Sequence, residues 1–207
     1  VKSWAYQKQG GMPKRKAGED FHFINKIIPL GHFGEINSTR VIPSPRVSDR
    51  VPFGTGKAVK DWLSSQELKT YNPRIFEDLA ELLSSVNDVY NKNKDARERW
   101  YSILPKSIKG YLNDISYKSQ VERLNKNSTS LPTFKKHFFH WFDAFQCMKF
   151  IHYARDNFYA NVPINEAAKW LLNNDSEEDT DLNNKELLTK LRSLDRKGYF
   201  IGFMKED

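Results

Sequence analysis

The sequence predicts a mainly α protein in two parts, a loop-rich basic segment over residues 1–60 and a helical region over 61–207. Three observations predict it. Seven of the ten glycines and five of the nine prolines fall in the first 60 residues, where they mark turns and specially shaped backbone. Past Asp61, glycine becomes rare and apolar residues recur at helical spacing. The 14 Phe, 9 Tyr and 5 Trp supply bulk for a packed core, which excludes wholesale disorder despite a charged fraction of 29%.

In the first segment, Gly10-Gly11 ends a short extended stretch, and Met12 to Lys16 is too basic and too interrupted for a regular element, so it reads as a loop. A helix is expected over 17–30, with Phe21, Ile24, Ile27 and Ile28 at helical spacing. Glu19 and Asp20 fall in its first turn, where carboxylates suit the positive end of the helix dipole, and Gly31 is the natural stop. Glu35 to Ile42 mixes Ile, Thr and Val with polar residues, which suits a strand ended by Pro43 and Pro45. Residues 47–56 form a turn-rich loop.

Helices are then expected over 57–66, from Pro73 to about Asn91, and from about Ala96 to Leu104, where Pro105 breaks the pattern. Another covers 108–124, followed by a polar loop over 125–130. The strongest signal is a single helix over 134–159, in which Phe138, Trp141, Phe142, Phe145, Met148, Ile151 and Phe158 form an apolar stripe. Such a stripe belongs to the core. Helices at 164–172 and 184–197 follow, separated by an acidic run over 175–181.

Charge is distributed unevenly. Residues 1–60 hold 11 Lys and Arg against 4 acidic residues, while the other 147 residues hold 22 of each sign, so the whole surplus of +7 lies in the first segment. Length bounds the chain to one large domain or two small ones. No run approaches the roughly 18 apolar residues of a membrane helix, and no signal-peptide pattern opens the chain, so a cytoplasmic protein with no transmembrane segment is expected. Cys147 is the single cysteine and sits in the aromatic stretch, where a small buried apolar residue is expected.

Several chemical motifs are incomplete. The five histidines form no HExxH pattern, and His137 with His140 lacks a third ligand nearby. No GxSxG elbow is present. Gly54-Thr55-Gly56-Lys57 resembles the end of a phosphate loop without the full spacing, and beside Arg46 and Arg50 it makes an anion-friendly helix start. Asp179-Thr180-Asp181 spells a DxD within an acidic linker, where a solvated charge run is expected.

Three ordered stretches carry a family resemblance. Gly10-Gly11-Met12, then Lys16-Ala17-Gly18-Glu19-Asp20-Phe21, then Val41 through Gly56 (VIPSPRVSDRVPFGTG) resemble the acceptor-side half of a bacterial family 2 (GT-A) glycosyltransferase. The resemblance covers residues 4–60, with 61–207 as a helical C-terminal region. It implies an α/β GT-A fragment and an inverting transfer of a sugar from a nucleotide-diphosphate donor to a saccharide or lipid-linked acceptor. Asp20 holds the position of the general base, and Glu19 would orient it or touch the acceptor. Gly10, Gly11, Met12, Arg46, Ser48, Arg50, Gly54, Thr55 and Lys57 are the candidate substrate-binding residues, of which Arg46, Arg50 and Lys57 would stabilise the leaving diphosphate. The resemblance also implies a divalent metal, Mg or Mn, in the full-length enzyme. Its ligands and the nucleotide pocket belong to an N-terminal half that 1–207 lacks, so the chain is expected to be a fragment inactive alone. Two other classes fit parts of the sequence. A helical protein-interaction module fits 61–207, whereas a basic nucleic-acid-binding domain lacks any helix-turn-helix, RRM or zinc-finger signature.

Overall fold

A computed structural model describes residues 1–14, 18–31, 34, 36, 38–42, 44, 46–47, 54–173 and 182–197. In chain order the elements are α1 (Ser3–Lys8), α2 (Glu19–Ile27), α3 (Thr55–Ser65), β1 (Lys69–Thr70), α4 (Arg74–Ser84), α5 (Lys94–Ile103), α6 (Lys106–Asp114), α7 (Tyr117–Lys126), α8 (Leu131–Trp141), α9 (Ala144–Asn157), β2 (Val162–Pro163), α10 (Ile164–Asn173) and α11 (Asn184–Arg196). Single 3-10 turns follow α2 at Ile28–Leu30 and α4 at Val86–Val89. The mainly α expectation holds. The chain forms two compact units, one from the described residues of Val1–Leu68 and Glu178–Asp207, the other from those of Lys69–Glu177.

The second unit carries a continuous core. Ile75, Leu79 and Leu82 share the inward face of α4, four and three residues apart. They join Ile108 and Leu112 of α6, Val121 of α7, Phe134 and Phe138 of α8, and Phe150 and Ala154 of α9 in one buried cluster. Helix α6 packs on α9, α4 on both, and α7 on α8. The rings meet in offset and edge-on pairs. Phe138 lies 6.2 Å from Phe134, 5.5 Å from Trp141 and 6.0 Å from Phe142, and Tyr111 meets Phe150 edge-on at 5.6 Å. Such pairs add about 0.5–1.5 kcal/mol each beyond the area they bury. An antiparallel pairing of Lys69 with Pro163 and Thr70 with Val162 is the sheet found among the described residues.

The structure departs from the sequence expectations where a polar side chain or a left-handed residue interrupts an apolar pattern. The helix expected over 134–159 is two helices. Phe142 leaves the helical region with ψ 67°, and Asp143 caps α9 by accepting from the backbone N–H of Phe145 at 3.0 Å and of Gln146 at 3.1 Å. Phe134, Phe138, Phe142 and Phe150 are buried, but Met148 and Phe158 are exposed because the stripe changes direction at that break. The helix expected over 108–124 also divides, at Ser116, whose φ of 53° lies in the left-handed region. The one expected from Pro73 to Asn91 ends at Ser84 and passes through a 3-10 turn to Asn91, which has φ 49°.

Asn125, expected in a loop, belongs to α7 and secures that last turn. Its amide nitrogen donates to the Val89 carbonyl at 3.2 Å and to the Val121 carbonyl at 2.9 Å, while its oxygen accepts from the Asn91 N–H at 2.6 Å. Three polar backbone groups are satisfied by one side chain.

In the first unit, residues 3–8 form a helix instead of the expected extended stretch. Gly10 and Gly11 close it with φ 69° and 71°, and the Gly11 N–H donates to the Tyr6 carbonyl at 2.9 Å. Helix α2 and the Ile28–Leu30 turn match the expected 17–30 helix, starting after Gly18 and stopping at Gly31. The strand expected over 35–42 is absent among the described residues 36 and 38–42. A strand needs a neighbour to take its backbone groups, and β1 and β2 pair only with each other. The acidic run 175–181 lies outside the described residues.

Burial raises the pKa of four phenols, Tyr111, Tyr117, Tyr153 and Tyr159. Tyr111 and Tyr117 are both pushed up to about 12, first by burial and then by nearby negative groups, Cys147, Asp143 and Asp114 for Tyr111 and Glu98 for Tyr117. An unfolded phenol titrates near 10, so the unfolded chain releases these protons first as pH rises. Their contribution to stability is therefore complete below about pH 10 and is lost as pH climbs toward 12. Absorbance titration at 295 nm should show phenols still protonated above about pH 11, fewer of them in Tyr111→Phe and in Tyr117→Phe, with denaturant midpoints falling over the same interval. Nine phenols titrating together near pH 10 would contradict this.

Candidate functional site

The candidate residues of the first unit are built on α1, α2 and the start of α3. Gly18 precedes α2 with φ 72°, a conformation that costs an L side chain roughly 1–2 kcal/mol and suits glycine. The turn it makes sets Glu19 and Asp20 as the first two helical residues. Glu19 is half-buried and Asp20 exposed. Asp20 Oδ1 accepts the Phe21 N–H at 2.8 Å, satisfying one donor of the first turn, and among the described residues its Oδ2 has no partner.

The Gly10-Gly11 turn is tied to α2 through Tyr6. The Tyr6 ring lies 5.5 Å from that of Phe23, one of the few buried side chains of this unit, and its edge covers Gly11. A Cβ at Gly11 would sit 3.0 Å from Tyr6 Cε1. Two of the three sequence stretches thus belong to one local structure, joined by an aromatic pair. Met12, next to the turn, is 44% exposed. Between α1 and α2 runs an apolar cleft of about 590 Å³ lined by Trp4, Ala5, Phe23, Ile24, Ile27 and Ile28.

The third stretch is only partly visible. Ser48 and Arg50 lie outside the described residues, and Arg46 is exposed. Gly54 has φ 98° and Thr55 opens α3, two residues before the expected helix start. Lys57 is already paired, its Nζ 2.5 Å from Asp61 Oδ2 one turn along α3, so its charge is shared with a carboxylate at the place where an anion would compete for it.

The second unit holds polar clusters that sequence spacing did not reveal. Asp78 Oδ2 accepts from the fully buried Ser107 hydroxyl and from the Tyr159 hydroxyl, the latter at 2.9 Å. Asp78 stands three residues from Ile75 on the inward stripe of α4, and an acid in that register is the signal that could have found it. No histidine stands between serine and carboxylate, and Ser107 is closed to solvent, so the pair cross-links helices instead of arming a nucleophile. His152 Nε2 lies 3.0 Å from the Tyr71 hydroxyl, and His137 Nδ1 lies 3.1 Å from Ser128 Oγ. Cys147 is half-buried against the core, less enclosed than expected, and burial raises its thiol above the ordinary range. That disfavours the reactive thiolate.

No family model, curated protein or solved structure matches the chain. The local chemistry must therefore speak for itself. Among the described residues no three His, Cys, Asp or Glu side chains gather as a metal-holding group. The resemblance puts the ligands of its divalent metal outside these 207 residues, and the chemistry below runs through none. The Asp179 to Asp181 motif lies outside the described residues. No described helix is long and apolar enough to cross a membrane.

If the Tyr6 ring and the left-handed turn hold α1 to α2, Gly11→Ala should destabilise the first unit by about 1–2 kcal/mol, because the new Cβ meets both an unfavourable φ and the ring. Hydrogen exchange of the α1 and α2 amides in wild type and variant measures it. Unchanged protection in both helices would contradict the coupling.

Proposed function

We propose that residues 4–60 are the acceptor-side part of an inverting sugar transferase in which Asp20 is the general base. The observation that carries this reading is the placing of Asp20. It is exposed in the first turn of α2, with Oδ1 held by the Phe21 N–H and Oδ2 without a partner among the described residues. It also shares a helical face with Phe23, Ile24 and Ile27, which lie three, four and seven residues on and line the apolar cleft beside α1. A fixed carboxylate with an open oxygen, one helical turn before the Phe23 and Ile24 that line an apolar cleft, suits an acceptor that offers a hydroxyl and buries its less polar part.

In the transfer, Asp20 Oδ2 takes the proton of the acceptor hydroxyl as that oxygen bonds to the anomeric carbon. The bond from that carbon to the nucleoside diphosphate breaks on the opposite face, and the diphosphate departs with the electron pair. Inversion follows from this in-line geometry. Glu19, half-buried beside Asp20, would orient the base or touch the acceptor. Gly10, Gly11 and Met12 border the same local structure through Tyr6. Arg46 is the described cation of the third stretch that is exposed and unpaired among the described residues, whereas Lys57 would first have to leave Asp61. Donor binding falls to residues beyond these 207, and the divalent metal belongs with them.

The test uses the natural gene product that contains these residues. Asp20→Asn should lower kcat by about 10²–10⁴-fold, the usual worth of a positioned base, and leave the donor KM unchanged. Glu77→Gln, an exposed carboxylate on α4, serves as the control. Wild-type turnover in the Asp20 variant would remove Asp20 from the chemistry.

A further inference from the structure

A second concavity of the first unit lies away from Glu19 and Asp20. Helix α11 carries Arg192 and Arg196 four residues apart and so on one face. With Thr39, Arg40, Ile36, Val41 and Ile42 they line a cleft of about 540 Å³, a size that suits a small molecule. An adjoining hollow is lined by Ser38, Thr39, Arg40 and Arg196. Asp195 is the carboxylate among the described lining residues, so three guanidiniums face one acid.

Asp195 apart, no carboxylate is among the described lining residues. Among the described residues none of the three guanidiniums makes an ion pair or a side-chain hydrogen bond. Like charges one turn apart on a helix repel, and Arg40 adds a third from a separate segment. The C-terminal dipole of α11 explains a cation at Arg196. It does not explain Arg40, which is on no helix. The apolar lining is unusual as well, since Ile36, Val41 and Ile42 are 73%, 91% and 78% exposed.

We infer that this cleft binds an organic phosphate, with the phosphate among Arg40, Arg192 and Arg196 and its carbon portion along Ile36, Val41 and Ile42. The planar guanidinium fork matches phosphate oxygens in pairs, which a lysine ammonium does not. The Ser38 and Thr39 hydroxyls add neutral donors at the same rim. The site shares no residue with the proposed base and stands whether or not the chain takes part in sugar transfer.

Calorimetric titration of the 207-residue chain with inorganic phosphate and with decyl phosphate below its micelle concentration tests the inference. Decyl phosphate should bind saturably and about tenfold tighter than inorganic phosphate, through the apolar lining. Arg40→Gln and Arg196→Gln should each weaken it about tenfold or more, with Lys149→Gln as an exposed control on α9 and circular dichroism showing the variants folded. Sedimentation with phosphatidylcholine vesicles containing phosphatidic acid, lost in the arginine variants, assigns the phosphate to a lipid headgroup. Decyl phosphate binding without sedimentation assigns it to a soluble ligand. No saturable binding, binding that survives both substitutions, or a decyl phosphate affinity no better than phosphate would overturn the inference.

Discussion

Short helices have to be held by their neighbours, and that constraint governs this protein. The helices run from 6 to 14 residues, near or below the length at which an isolated helix persists in water. The second unit meets the constraint with aromatic bulk. Phe138 touches Phe134, Trp141 and Phe142 at ring distances of 5.5–6.2 Å, and the break at Asp143 lets α8 and α9 present their rings to one core. Remove the break and Phe142 and Phe150 would follow one continuous helical stripe. The Asp143 carboxylate is therefore as much a part of the core's geometry as the phenylalanines it separates.

The first unit meets the same constraint with far less. Its described buried apolar side chains are Ala5, Phe23 and Leu187. Glycines in left-handed conformation set the chain direction at Gly10, Gly11, Gly18, Gly31 and Gly54, and the Tyr6–Phe23 pair does the packing. A thin core leaves concavities, and this unit has two of contrasting chemistry. One is apolar and lies beside the α2 face that begins with Asp20; the other is lined by arginines from α11 and the 36–42 segment. Sparse packing and exposed polar groups are what a surface that receives ligands requires.

Much of this was legible in the sequence where one physical signal acted alone. The stop at Gly31, the start of α10 and the span of α11 follow from apolar spacing and from that glycine. Glu19 and Asp20 at the opening of α2 were legible for the same reason. Periodicity failed where two signals competed. The stripe from Phe138 to Phe158 is continuous on paper, yet the Asp143 carboxylate offers the Phe145 and Gln146 N–H groups a better partner than another helical turn would. Ser116 and Asn91 turn left-handed without glycine, which composition does not announce. The strand pattern at 35–42 was local, whereas a sheet depends on a partner strand. The arginine cleft was invisible because Arg40 and Arg192 are brought together only by folding.

The functional account rests on one carboxylate and the structure that presents it. Glycine-imposed turns orient α2, the Phe21 N–H fixes one oxygen of Asp20, and the other has no partner among the described residues. The most direct measurement is proton NMR of the product formed by the natural gene product with nucleotide-sugar donors and a saccharide acceptor. The account predicts acceptor-dependent release of nucleoside diphosphate and a transferred sugar of opposite anomeric configuration to the donor. Retained configuration, or no release with any donor, would contradict it.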